Sequence, residues 1–174
     1  TVFNKFIIDQ DFNQKDISFI NNVCLNTMRR SIHCKLILKK FSKSRLNSNQ
    51  YILLSSAIVQ IIYLKIKPYA VVNETVNVAK KVKIFPGFVN ALLKNILNNL
   101  DEVRKTKVDL YDFPLWFVKQ INDKKKFETH KFIKTFCAHP SLHLVFKSEK
   151  YLNNFREPHT KSSKKSAFVK SQKT

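Results

Sequence analysis

Apolar residues recur along this chain at helical spacing far more often than at strand spacing, most insistently between residues 47 and 100. Residues 51–64 are apolar almost all round, which suits a helix covered on most of its faces, so this stretch is expected at the centre of the fold. Pro68 opens a second helix, because its ring pre-sets φ at a first helical position whose N–H has no intrahelical partner to lose. Val72, Val76 and Ala79 then share one face, with Val71, Thr75, Val78 and Val82 beside it. A third helix opens at Phe85 and Pro86, where Val89, Leu92, Leu93, Ile96 and Leu100 repeat at i, i+3, i+4, i+7 and i+11. These three consecutive helices are expected to pack on one another.

The flanks read less regularly. Residues 1–14 carry Phe3, Phe6, Ile7, Ile8 and Phe12, the remnant of a first helix. In residues 16–30 a stripe of Ile17, Ile20, Cys24 and Met28, flanked by Val23, predicts a helix whose acidic start and basic end suit its dipole. Residues 31–41 continue helically, with Ile32, Leu36, Ile37 and Phe41 inward and Lys35, Lys39 and Lys40 outward, and Asn47 or Ser48 can cap the central helix. Residues 101–109 lose periodicity and read as a loop or frayed helix end. A helix is expected from about Asp112, Phe113 and Pro114, carrying Leu115, Trp116, Val118 and Ile121. Another is expected over residues 127–136, with Phe127, Ile133 or Phe132, and Phe136 inward, and Pro140 ending it. Residues 141–146 form the one alternating run that predicts a strand, and the Lys- and Ser-rich residues 156–174 are expected to be disordered. The predicted class is all-α, a compact bundle of about six or seven helices.

Composition narrows this picture. At 174 residues and 44% apolar, one domain with a substantial core is expected. The single glycine, Gly87, leaves no material for a glycine-rich phosphate loop. The net charge of +20 is spread over the whole length and attracts polyanions such as nucleic acid or an anionic membrane surface. An AT-rich coding sequence yields a similar excess of Lys, Asn, Ile and Phe, so charge alone does not decide. Cys24, Cys34 and Cys137 are an odd set without a CxxC pair, which points to a reducing cytosol and to neither a disulfide framework nor a zinc ribbon. No signal peptide is recognised, residues 51–64 fall short of the roughly 20 apolar residues that cross a bilayer, and a cytoplasmic monomer without membrane contact is expected. The start at Thr1 is read as the mark of a fragment.

No constellation for chemistry stands out. Cys137, His139 and His143 lie close together but lack a second cluster to complete four ligands, so no metal is expected. Cys24, on the inward stripe, reads as an inert small hydrophobe. Glu74, the lone acid of residues 51–100, reads as structural, bonding to a helix end or to an arginine such as Arg29. Asn90 reads as bonding a neighbouring backbone group. Trp116 reads as a core anchor in preference to a base-stacking platform.

The run Ile66-Lys67-Pro68-Tyr69-Ala70-Val71-Val72-Asn73-Glu74-Thr75-Val76, followed by Gly87-Phe88-Val89-Asn90-Ala91-Leu92-Leu93-Lys94, resembles the paired signature of the NusB-like helical domain. Upstream, Val23-Cys24-Leu25-Asn26-Thr27-Met28-Arg29 resembles a helix end of that family. Downstream, Tyr111-Asp112-Phe113-Pro114-Leu115-Trp116-Phe117 resembles the segment that follows this domain in the RsmB (Sun, Fmu) type of 16S ribosomal RNA cytosine-C5 methyltransferase, and not in free-standing NusB. His139-Pro140-Ser141-Leu142-His143-Leu144 is similar to the entry into that enzyme's next domain. The chain departs from the pattern at Lys94, where the family has arginine, and at Val145 or Phe146, where a second arginine is expected.

The resemblance implies a NusB-like domain over residues 1–138, the start of a linker over 139–155, and the basic tail over 156–174. It assigns family-motif structural roles to Pro68, Ala70, Glu74, Asn90, Pro114 and Trp116. Charge and motif position suggest ribosomal RNA contacts at Arg29, Arg30, Lys39, Lys40, Lys80, Lys81 and Lys94. The family's catalytic half has no counterpart here: there is no glycine-rich motif for S-adenosylmethionine and no Pro-Cys or Thr-Cys pair. The chain is therefore expected to be inactive alone, with ribosomal RNA and its own catalytic domain as partners. Two other readings remain, a free-standing NusB-type antitermination factor that binds boxA-like RNA with a ribosomal protein, and a non-catalytic helical protein-interaction domain.

Overall fold

Local sequence sets the helix ends. The computed structural model describes residues 5–7, 10–122, 128–138 and 142–169, and the chain divides into two compact units, residues 1–129 and 130–174. In the first unit α1 (Gln14–Arg29) runs into α2 (Ser31–Phe41), followed by α3 (Ser48–Ile62), α4 (Pro68–Lys81), α5 (Pro86–Asn98), α6 (Leu100–Lys105), a 3-10 turn (Leu110–Asp112) and α7 (Leu115–Asn122). Asn13 caps α1 by accepting from the Lys15 and Asp16 amides at 2.9 and 3.0 Å. A reciprocal capping box starts α3: the Gln50 amide donates to Asn47 Oδ1 at 2.9 Å and the Asn47 amide to Gln50 Oε1 at 3.0 Å. Pro68 and Pro86 occupy the first turns of α4 and α5.

The expected central helix is central: α3 packs against α1, α2, α4 and α5. Leu54, Ala57, Ile58 and Val59 on α3 are buried with Ile37 and Leu38 of α2, Val71 and Ala79 of α4, and Val89, Leu93 and Ile96 of α5. Each large aliphatic side chain removed from water in this way stabilises the fold by about 1.5–3 kcal/mol.

Three expectations for this unit are corrected. The α1 stripe is rotated: Cys24 is exposed and Met28 is 73% exposed, while Asn26 is buried. Burial of Asn26 is tolerable because its amide donates to the Asn22 carbonyl and side chain at 2.9 and 2.7 Å, a satisfaction that hydrophobic patterning does not register. Part of the stretch read as loop or frayed end belongs to the short helix α6, held by Val103, which is fully buried. Trp116 is no core anchor: it is 64% exposed and neighbouring Leu115 77%, and among the described residues of α7 the buried ones are Val118 and Ile121.

The second unit takes in all but the first residue of α8 (Thr129–Cys137), followed by β1 (Leu142–Val145), α9 (Glu149–Asn153), β2 (His159–Ser163) and β3 (Ser166–Val169). The strands form an antiparallel sheet of order β1-β3-β2. On α8, Ile133 is buried, whereas Phe136, expected inward, is exposed and rests its ring on Phe132 at 5.7 Å. Phe127 and Pro140 lie outside the described residues. The predicted strand is present, but its partner is not where composition suggests. Residues 159–169, expected to be disordered, form the β2–β3 hairpin, because Phe168 and Val169 carry strand propensity within the Lys/Ser background, small Ala167 beside them is buried, and β3 finds a non-local partner in β1.

Candidate functional site

The outward face of α2 places Lys35 and Lys39 one turn apart, so both project from the same side of the helix. Beyond Phe41 the chain turns as Ser42 Oγ donates to the Ser44 carbonyl at 2.8 Å, and Asn47 then caps α3. The result is a cleft of about 280 Å³ whose rim is Lys35, Lys39 and Arg45 with Ser42 and Ser44, and whose floor is Leu38, Leu46 and Tyr51. Among the described residues no acidic side chain lines it.

Tyr51 is locked in place, since its hydroxyl donates to the Ser31 carbonyl at 2.7 Å, and burial raises its pKa and keeps it protonated. It also lines an adjoining cleft of about 370 Å³ with Ser31, Ile32, Lys35, Asp112, Phe113 and Pro114. Asp112 there accepts from the Asp109 amide at 2.7 Å. One wall of Lys35 and Tyr51 therefore separates an acid-free basic cleft from a mixed one.

A second cluster lies at the C-terminal ends of α1 and α3. The Arg30 guanidinium sits 4.3 Å from the centroid of the Tyr63 ring, with its Nε buried and, among the described residues, without a hydrogen-bond partner. The Tyr63 hydroxyl meets His33 Nδ1, and His33 Nε2 lies 3.0 Å from the Thr106 carbonyl. A carbonyl only accepts, so Nε2 carries the hydrogen, and in the neutral ring Nδ1 accepts from Tyr63. Burial lowers the His33 pKa and favours that neutral form, opposed by the Thr106 bond and aided by Arg30. Nearby Cys34 is fully buried, and burial pushes its thiol up to about 12, so it holds no thiolate for nucleophilic work at neutral pH.

The sequence-predicted contacts are scattered by comparison. Lys39 joins the basic cleft. Arg29 is half-buried and donates to Asn26 Oδ1 at 3.4 Å, while Arg30 is held over Tyr63. Lys40 pairs with Glu102 at 3.0 Å. Lys80, Lys81 and Lys94 are exposed on α4 and α5 and line neither cleft. Among the motif positions, Pro114 lines the mixed cleft and Pro68 starts α4, with Ala70 half-buried in its first turn. Glu74 is exposed and, among the described residues, bonds neither a helix end nor Arg29; Asn90 is half-buried and makes no side-chain hydrogen bond among them. Sequence reasoning missed Arg45 and Tyr51, and it placed Lys35 outward without assigning it a role. The i, i+4 spacing of Lys35 and Lys39 was the available signal. Among the described residues no group of His, Cys, Asp or Glu is arranged to hold a metal ion, and no helix is long and apolar enough to cross a membrane.

Residues 3–98 match the NusB family. Over 127 residues the chain is 32% identical to a Coxiella burnetii protein named probable ribosomal RNA small subunit methyltransferase B, an alignment that covers 68% of this chain and 29% of that protein. Over 98 residues it is 30% identical to the transcription antitermination protein NusB of Ligilactobacillus salivarius, covering 52% of this chain and 75% of that protein. The chain thus spans less than a third of the length of the methyltransferase it matches.

Proposed function

The chain belongs to the NusB family, and we propose that its helical unit binds ribosomal RNA as the accessory domain of a 16S ribosomal RNA cytosine-C5 methyltransferase. The observation that carries this reading is the acid-free cleft where Lys35, Lys39 and Arg45 surround an apolar floor. Cations held on a rigid helical frame neutralise phosphates and fix the register of an RNA strand while reading little sequence themselves. The longer alignment, to the methyltransferase, supports the choice of parent enzyme. Lys80, Lys81, Lys94 and Arg29 add field and outer phosphate contacts. Arg30 and Lys40 serve packing and pairing instead, as their contacts with Tyr63 and Glu102 indicate.

S-adenosylmethionine does not fit this chain. The single glycine, Gly87, lies inside α5, so no glycine-rich loop is available to cradle it, and no methyl-transfer step is assigned to these residues. A second reading, a free-standing antitermination factor, is favoured by the 75% coverage of the NusB relative. Titration of a labelled 16S ribosomal RNA hairpin and of a boxA-like RNA at several salt concentrations separates the two by which RNA is preferred. In the triple variant Lys35→Ala, Lys39→Ala, Arg45→Ala the slope of log affinity against log salt should fall by roughly 2. A slope identical to that of the parent chain overturns the cleft as the RNA site.

A further inference from the structure

The C-terminal unit carries a feature that phosphate neutralisation leaves unexplained. In the β1-β3-β2 sheet, His143 and Phe168 are directly opposed across the β1–β3 pair. Their rings are stacked, with centroids 4.4 Å apart and planes inclined by 22°. Alternation along the strands gives the sheet two unlike faces: Ala167 is buried and its partner Leu144 half-buried on one, whereas His143 is exposed and Phe168 is 43% exposed on the other.

The stack is also held from the side. His143 Nε2 lies 2.9 Å from Ser162 Oγ, Ser162 Oγ 2.9 Å from Ser166 Oγ, and Ser166 Oγ 2.6 Å from Ser163 Oγ. This hydroxyl chain runs from Ser163 on β2 to Ser166 on β3 and back to Ser162 on β2, which reaches His143 on β1 and fixes the imidazole against the phenyl ring. An aromatic pair fixed in advance on a solvent face is poised to accept a further flat ring without losing side-chain freedom. Such a face could receive an apolar protein segment or a nucleobase, and charge separates the two. Residues 130–174 hold ten Lys and Arg against two Glu, a net +8, which favours an occupant that carries phosphates.

We propose that the His143–Phe168 face of the sheet is a stacking platform for an unpaired base of single-stranded RNA, with exposed Thr160, opposite Phe168 on β2, offering a hydroxyl to its edge. The proposal rests on the RNA-binding reading and adds a contact of a different physical kind, to bases instead of phosphates. Stacking on an aromatic side chain tolerates any base, because every base has a π-face.

The test uses the full chain and two labelled RNA oligomers of equal length and charge, one with bases and one abasic. Phe168→Leu should weaken binding of the base-bearing oligomer about five- to a hundredfold and leave the abasic oligomer and the salt slope unchanged. Phe168→Trp should preserve the preference for the base-bearing oligomer and quench a 2-aminopurine placed in it. Should Phe168→Leu disturb the fold, the Trp variant still decides, since absence of both preference and quenching refutes the platform. Equal affinity of the parent chain for both oligomers overturns the platform alone, whereas binding of neither overturns the RNA reading as well.

Discussion

In the helical unit, Ile37, Leu54, Ile58, Leu93 and Ile96 are each exposed by 1% or less; in the C-terminal unit the described side chains at that level are Leu152 and Ala167. The first unit is held chiefly by aliphatic burial around α3, and the second by strand pairing and surface networks such as Lys161 Nζ to Asn153 Oδ1 at 2.6 Å. A net hydrogen bond contributes about 0.5–1.5 kcal/mol, less than the burial of one large aliphatic side chain. The two candidate RNA surfaces therefore stand on supports of different strength: a rigid cationic cleft on a packed bundle, and an aromatic face on a small sheet.

Truncation at the densest point of each unit tests this most severely. Leu93→Ala should cost about 2–5 kcal/mol, read as a lower denaturant midpoint of the helical signal. It should also admit alkylating reagent to Cys34, which the intact core closes off, while exposed Cys24 reacts in either case. With its pKa moved from 9.0 to about 12, folded Cys34 has a thiolate fraction smaller by roughly a thousandfold than a free thiol at the same pH. Leu152→Ala should instead abolish amide protection in β1 and β3 and leave Cys34 closed. Release of Cys34 by Leu152→Ala would show one cooperative structure in place of two and break the comparison.

This difference in support also governs what could be read from sequence. Over residues 51–97 the periodicity of Ile58, Val72, Leu93 and their neighbours located three helices and their inward faces, since aliphatic burial is what patterning records. On α1, where the buried residue is Asn26, satisfied by Asn22, the same rule misplaced Cys24 and Met28. In the sheet, β3 depends on a partner more than 20 positions away in sequence, and average composition over the tail hid the short run Ser166-Ala167-Phe168-Val169. The basic cleft was half legible. Lys39 was assigned from charge, but Arg45 and Tyr51 reach it only through the turn at Ser42 and the cap at Asn47.

Acidification probes the junction of α1, α2 and α3 within the stronger unit. Because the folded pKa of His33 lies below the ordinary 6.5, both states are neutral above that pH and the group contributes nothing to its dependence. Below 6.5 the unfolded chain takes up the proton first, so stability falls as the pH drops towards the folded pKa, beneath which the loss is complete. Denaturant midpoints measured across this range should decline, and His33→Gln should flatten the decline. An identical pH profile in the variant would remove His33 as its source.

The smallest effect expected lies at the end of α4, where the helical unit tolerates a conformation that most side chains avoid. Lys83 has φ of 58°, its amide bonds the Lys80 carbonyl at 3.4 Å, and the Ile84 amide bonds the Ala79 carbonyl at 2.9 Å. These are the two bonds of a Schellman ending, in which glycine is the usual residue at the left-handed position because it has no Cβ to crowd the backbone. Ile84, next along, is buried, so the turn is held by its apolar anchor in spite of the lysine. Lys83→Gly should therefore stabilise the helical unit by about 1 kcal/mol and leave hydrogen exchange in the sheet untouched. A destabilised variant would mean that the lysine side chain itself holds α4 in place, and that the bundle depends on its surface more than its interior suggests.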